Sequence, residues 1–186
     1  MKNFNFQAIR KSKLSLEKER RELDAKSDEA RRQSKLAIFA LQRGEQKRGD
    51  QCLADARKLI KVCQMMIRKR PSLSGDSGYK SALEEFVEAA LFDAYLKDDL
   101  RLPAEAESSP DAALGGLADL AGEIARHSVL MATVKNKKAI EHAHATVVKI
   151  VDVLAALDLT GSLRSKFDQT KQHLRKIEDL RYDLSR

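Results

Sequence analysis

The stretch NFQAIRKSKLSLEKERRELDAKSDEARRQSKLAIFALQ, residues 5–42, decides the fold, because it contains neither glycine nor proline and repeats apolar residues at every seventh position. That interval places its apolar members on one stripe of an α-helix. The stretch therefore predicts one helix of about 55 Å, at 1.5 Å per residue. A helix of that length extends beyond a domain of this size, so part of it should project into an assembly or a cavity. The members of the repeat are Ile9, Leu16, Leu23, Ala30 and Ala37.

The rest of the chain continues the helical pattern, interrupted by short loops. Gly44 and Gly49 bound a turn, Asp50 is a plausible N-cap for a second helix, and Pro71 ends that helix. Residues 71–78 and 101–111 are loops by composition, the second of them an exposed acidic one. Further helices are predicted over about 79–100, 110–129, 134–157 and 162–186.

Composition excludes several other classes of protein. Three prolines and eight glycines in 186 residues are too few for the turns of a sandwich or barrel of short strands. No segment alternates between apolar and polar residues as a half-buried strand does. The sequence therefore predicts an all-α fold, a single domain over residues 1–186 with six or seven helices and a long N-terminal one.

Cysteine usage and hydropathy indicate the compartment. Cys52 and Cys63 are eleven residues apart with no histidine nearby, which fits neither a zinc knuckle nor a disulfide framework. There is no apolar run of membrane-spanning length and no apolar signal-peptide core near the N terminus. We expect a cytoplasmic protein without a membrane partner.

Charge is divided unevenly along the chain. The formal net charge of +7 is the balance of +11 over residues 1–70, −8 over 71–129 and +4 over 130–186. A basic segment beside an acidic one indicates a polyanionic partner. The basic residues of the first helix are either a solvated face or a phosphate-binding surface.

The informative acids lie in apolar surroundings. Asp119 and Glu123 are the only ionisable residues in 114–125, and their spacing of four places them on one helix face. Glu85 and Glu88, three residues apart, share a face within another apolar segment. Small residues around Asp119, namely Gly115, Gly116, Ala118, Ala121 and Gly122, would let a second helix approach closely, so the two acidic pairs could converge.

Converging carboxylates raise one another's pKa, and a divalent cation removes that cost. Oxygen ligands without cysteine or histidine favour Mg²⁺, with Mn²⁺ possible, and such a site supports metal-assisted phosphodiester cleavage. The plainer reading is that acid pairs at this spacing are solvated or paired with lysine. A second candidate, Glu141 with His144, has the E-x-x-H spacing of di-iron bundles, but only one copy is present.

The sequence resembles the translin superfamily, and specifically its catalytic branch, translin-associated factor X. The resemblance rests on EFVEA (85–89), GGLADLAGEIARHSV (115–129) and LRKIEDLRYDLSR (174–186), while RRELDAKSDEARRQSKLAIFALQ (20–42) aligns with the family's first helix without a gap. It covers most of the chain, and its specific part is the two acidic motifs. The loop 101–111 is shorter than in eukaryotic members of that branch, so the chain is most similar to the compact archaeal-type form.

This resemblance implies a seven-helix fold that assembles into a hollow octamer, here from one kind of subunit. It implies a Mg²⁺-dependent endoribonuclease for single-stranded RNA, with DNA as a possible further partner. Its catalytic acids correspond to Glu85, Glu88, Asp119 and Glu123. Glu88, Asp119 and Glu123 would hold the metal, and Glu85 would assist as ligand or base.

The RNA-binding residues follow from the same resemblance. An inner-wall arginine of the family corresponds to Arg20, and Arg10, Lys13 and Lys35 are further candidates along the first helix. Two alternatives stay open: a non-catalytic translin-like shell that binds single-stranded RNA or DNA, and a helical scaffold with no nucleic-acid role. Metal-dependent cleavage separates the first from a nuclease, and salt-dependent binding separates the second.

Overall fold

The fold consists of helices joined by short connections. A computed structural model describes residues 6–186, and within that range there are six α-helices and no strand. Single turns of 3-10 helix at Pro71–Leu73 and Ala104–Ser108 interrupt two of the connections. The all-α, single-domain prediction is confirmed. The helices are α1 (Phe6–Gln42), α2 (Gln46–Lys69), α3 (Ser77–Leu96), α4 (Pro110–Thr133), α5 (Lys137–Ala155) and α6 (Gly161–Ser185).

Helix α1 is as long as its sequence predicts, although the predicted start at Asn5 lies outside the described residues. Its C-terminal half belongs to the core, where Leu23, Ala30 and Ala37 have no exposed surface. Its N-terminal part is uncovered, and the side chains of Phe6 and Ile9 are 73% and 57% exposed. The seven-residue repeat therefore describes a buried stripe only from Leu23 onward.

One continuous apolar core holds the helices together. Helix α1 packs on α2 and α3, α3 packs on α4, and α4 packs on both α5 and α6. Phe86 and Phe92 of α3 and Leu120 and Ile124 of α4 are fully buried at the centre. Burying each such side chain contributes about 1.5–3 kcal/mol, so the packing of α3 against α4 holds the other side chains of these two helices in place.

The expected boundary of α2 was wrong. Helix α2 begins at Gln46, so Asp50 is not its N-cap; the Asp50 carboxylate instead accepts hydrogen bonds from Gln46 and Lys97. Gly49 is buried inside α2, and a Cβ there would lie 2.6 Å from Cδ2 of Leu41. Its role is to let α2 approach α1 closely, rather than to end a turn.

The two predicted loops are also more structured than their composition indicates. Residues 71–78 contain a 3-10 turn and the first residues of α3, whose N-cap is Asp76, accepting from the backbone N–H of Tyr79 at 2.9 Å. In 101–111, Glu105 is only 7% exposed, because Arg57 and Lys61 of α2 lie 3.5 and 3.6 Å from its carboxylate. This part of the acidic loop is therefore docked on α2, contrary to the expectation that it is exposed.

No helix within residues 6–186 is both long enough and apolar enough to span a bilayer. Cys52 and Cys63 are both free thiols, and Cys63 is fully buried.

Candidate active site

Two helices, α3 and α4, bring the acidic motifs together, and glycine on α4 is what permits their approach. A Cβ on Gly116 would lie 2.7 Å from Cγ1 of Val87 and 2.8 Å from the carbonyl oxygen of Glu84. Real Cβ atoms do not come so close, so a larger residue would push the helices apart. The small residues predicted to allow a neighbouring helix do meet one, and it is the helix that carries the other acids.

Glu88 lies at the centre of the resulting cluster. The pKa of Glu88 is raised from 4.5 to about 8, chiefly by burial and further by the negative charges of Asp119, Glu85 and Glu123. Burial also raises the pKa of Glu85, with the charge of Lys35 opposing the rise. Glu88 therefore lies within electrostatic reach of each of the other three acids chosen from the sequence.

Two further charged residues of the site were missed by the sequence reasoning. The ammonium group of Lys166, on α6, pairs with the carboxylate of Asp119 and lies 3.3 Å from Oε1 of Glu84. Burial raises the pKa of Glu84, and the positive charge of Lys166 opposes that rise. Glu84 could have been found, since it is four residues before Glu88 on the same helix face; Lys166 is distant in sequence and gave no local signal.

Gln42, the last residue of α1, holds the remaining acid in place. Its amide nitrogen donates to Oε2 of Glu123 at 2.8 Å and to the Glu123 backbone oxygen at 3.0 Å. Gln42 is 7% exposed, so its orientation is fixed by packing. The end of the basic helix α1 is thereby joined to the acidic site.

The candidate RNA-binding residues of α1 separate into two groups. Lys35 lies at the acids, with its ammonium 3.7 Å from Oε2 of Glu85. Arg20 is exposed fifteen residues earlier, about 22 Å along the helix. Arg10 is also exposed, and Lys13 makes a 3.4 Å ion pair with Glu17. Only Lys35 among these four is close to the acidic cluster.

The acidic cluster fits a divalent cation by its chemistry but not yet by its geometry. Its donors are carboxylate oxygens, which Mg²⁺ and Mn²⁺ prefer, and the pKa of Glu88 is raised first by burial and then by the charges of neighbouring acids, which a bound cation would oppose. Across residues 6–186, however, no three acidic, histidine or cysteine side chains are arranged to hold a metal ion as they stand. Asp119, one of the three ligands expected from the sequence, is instead paired with Lys166.

The other candidate metal pair, Glu141 with His144, is taken up by ion pairs. The Glu141 carboxylate accepts from Arg181 at 2.6 Å, and His144 lies 3.7 Å from Glu178.

Residues 6–186 thus form an all-α fold of six helices. A half-buried acidic cluster lies between α3 and α4, and the long basic helix α1 ends beside it. The model of the Translin family matches residues 18–185. The chain therefore belongs to the Translin family.

Solved structures agree with this assignment at the level of the fold. The crystal structure of apo-NeC3PO is 24% identical, covers 97% of both chains and has a TM-score of 0.86. The crystal structure of AfC3PO is 23% identical over 97% of both chains, with a TM-score of 0.87. The AfC3PO–duplex RNA complex is 22% identical over 98% of this chain and 97% of that one, with a TM-score of 0.87. No curated protein sequence gives a match.

Proposed function

We propose that this protein is a Mg²⁺-dependent endoribonuclease that cleaves single-stranded RNA inside a hollow homo-octameric shell. The observation that carries the proposal is the convergence of Glu85, Glu88, Asp119 and Glu123 in a half-buried groove that raises the pKa of Glu88 to about 8. Burying Glu88 beside three other acids costs stability, and acids with pKa values perturbed in this way cluster at functional sites. Membership of the Translin family supports the same conclusion.

Each acid has a distinct role in this proposal. Glu88, Asp119 and Glu123 would hold Mg²⁺ or Mn²⁺, and Gln42 keeps Glu123 oriented by donating to Oε2. When bound, such a cation lowers the pKa of a coordinated water and neutralises charge on a phosphodiester. Glu85, whose pKa is raised by burial, is placed to accept a proton or to act as a further ligand. When a cation binds, Asp119 would separate from Lys166, and Lys166 would stay paired with Glu84.

RNA binding is assigned to the basic helix. Arg20, with Arg10 and Lys13 nearer the projecting end, would contact phosphates, and Lys35 would do so at the cluster itself. The similar fold that holds duplex RNA in the AfC3PO complex supports this role. Ile9 and Leu14, near the start of α1, are 57% and 53% exposed, and contact with another copy of the chain would bury them.

The second candidate function is a non-catalytic translin-like shell that binds single-stranded RNA or DNA. One observation favours it: Lys166 already supplies the positive charge that Asp119 and Glu84 need, and no metal-ready group of side chains exists in the part of the chain described here. In that case the cluster is a structural ion-pair network, as the plainer reading of the sequence has it.

A cleavage assay separates the two functions. Wild-type protein, Glu88→Gln and Asp119→Asn are incubated with labelled single-stranded RNA in Mg²⁺ and in EDTA; Glu107→Gln, an exposed acid outside the cluster, is the control. We expect cleavage only with Mg²⁺, a loss of at least about 100-fold in both cluster variants, and wild-type rates for the control. Equal rates in wild type and Asp119→Asn would contradict the site assignment, and no cleavage by wild type would favour the binding shell.

A further inference from the structure

A cavity of about 890 Å³ lies next to the acidic cluster, on the side of α4 that faces α1 and α6. Gln42 and Gly122 line it, and these residues respectively contact and precede Glu123. The cavity therefore opens beside one of the proposed metal ligands, not at a distant surface. Its volume is within the range that accepts a nucleotide-sized ligand.

The wall of this cavity carries positive charge. Arg43 extends from the end of α1, Arg126 from α4 and Lys176 from α6, and all three are exposed. Within residues 6–186, none of Arg43, Arg126 and Lys176 has an ion-pair partner, whereas the neighbouring Arg48 and Lys171 each do. Unpaired cations from three separate helices around one cavity are complementary to an anion.

The remaining lining suits a nucleotide better than a free anion. Phe39 is 46% exposed, and the Arg126 guanidinium lies 5.8 Å from the centre of its ring. A ring and a guanidinium plane of this kind are the surfaces on which unpaired bases stack. Ala125, Val129 and Leu130 also line the cavity and are apolar, so a sugar or a base edge can pack against them. No carboxylate is among the described residues that line the cavity, so none would repel the phosphate there.

We infer that this cavity binds the nucleotide adjoining the scissile phosphate of single-stranded RNA, with Arg43 and Lys176 contacting its phosphate and Phe39 its base. The inference rests on the RNA binding proposed above and adds a defined subsite to it. It also gives the strand a direction of approach, from the cavity across Gln42 to the acids. None of the cavity residues belongs to the set assigned to RNA from the sequence.

The experiment measures RNA affinity in EDTA, so that no cleavage occurs, with a labelled twenty-nucleotide oligouridylate and fluorescence anisotropy. Arg43→Gln/Lys176→Gln is compared with Lys47→Gln/Lys69→Gln, which removes the same charge from exposed residues of α2 that do not line the cavity. Arg43 and Lys176 are assigned to one phosphate, so their loss should reduce the magnitude of the slope of log affinity against log salt by about 0.7, and the control should leave that magnitude nearly unchanged. A Phe39→Ala variant should weaken binding about tenfold without changing the slope.

Three results would overturn the inference. The Arg43→Gln/Lys176→Gln variant could keep the wild-type salt dependence of RNA affinity, or it could lose no more RNA affinity than the α2 control. It could also change the native particle mass while RNA affinity stays at the wild-type level, which would make the cavity a contact between copies of the chain. Thermal midpoints of all variants check that they fold, as exposed substitutions should.

Cleavage with Mg²⁺ by the same preparations keeps the two hypotheses separate. A weaker salt dependence of RNA binding in the cavity variant, together with no cleavage by wild type, would support the subsite and contradict the nuclease. Cleavage by wild type with an unchanged slope in the cavity variant would support the nuclease and contradict the subsite.

Discussion

Replacing Glu88 by glutamine removes a carboxyl group whose pKa rises from 4.5 to about 8 on folding. Because the folded protein binds this proton more tightly than the unfolded chain, stability is lost as pH rises between those two values. One pKa unit corresponds to about 1.4 kcal/mol, so keeping Glu88 protonated in the folded protein, while the unfolded chain ionises, costs about 1 kcal/mol at pH 5 and about 3 kcal/mol at pH 7. Glutamine has the same shape without the charge, and it escapes this cost.

The assay is urea unfolding in EDTA at pH 5, 6, 7 and 8, at one fixed protein concentration because the chain is proposed to assemble. We expect the stability advantage of Glu88→Gln over wild type to grow by about 2 kcal/mol between pH 5 and pH 7. Glu107→Gln should follow wild type at every pH. Addition of Mg²⁺ should then stabilise wild type and not Glu88→Gln.

Two results would refute this reasoning. Parallel pH dependence in wild type and Glu88→Gln would show that Glu88 titrates normally, and that burial and its acidic neighbours do not act on it as described. Equal stabilisation of both proteins by Mg²⁺ would show that the cation binds elsewhere.

Two further substitutions test the platform and its lysine. Gly116→Ala should lower the free energy of unfolding in urea by about 1–3 kcal/mol and reduce cleavage, because its Cβ meets the α3 backbone. At Gly75 a Cβ meets open space, so Gly75→Ala should change that free energy by no more than about 0.5 kcal/mol. Equal losses of stability in the two variants would contradict the close approach of α3 and α4 at Gly116. Lys166→Met should lower the thermal midpoint in EDTA, and adding Mg²⁺ should raise that midpoint more than it does in wild type, because the ammonium group competing for Asp119 is gone. Lys166→Arg should resemble wild type. A smaller Mg²⁺-induced rise of the midpoint in Lys166→Met than in wild type would contradict this competition.

The helices were predictable from the sequence because their signals are local. A stretch without glycine or proline and with a regular apolar interval has few alternatives to α1, and Pro71 and Pro110 marked real boundaries. The start of α2 was misplaced for a tertiary reason: Gly49 looks like a turn residue, but its place is fixed by contact with Leu41 of another helix. A glycine needed for close packing cannot be told from a turn glycine by sequence alone.

The candidate site was predictable to the same degree. Asp119 and Glu123 stood out because their own segment is apolar, and the glycines beside them indicated a close neighbour. The partners that tune these acids come from helices far away in sequence: Gln42 from α1 and Lys166 from α6. Such contacts exist only once the helices have packed, so residue spacing could not reveal them.

The hydrogen bond between Gln42 and Glu123 also fixes the distance along α1 from Arg20 to the acids. Arg20 precedes Gln42 by 22 residues, about 33 Å of helix. A strand stacked at about 3.4 Å per nucleotide needs about ten nucleotides to cover that distance. In the proposed function, a stacked RNA shorter than this would reach Arg20 or the acids of one protomer but not both, so we expect the affinity of oligonucleotides to rise near that length. The proportions of a single helix would then set the smallest substrate that is held at both ends.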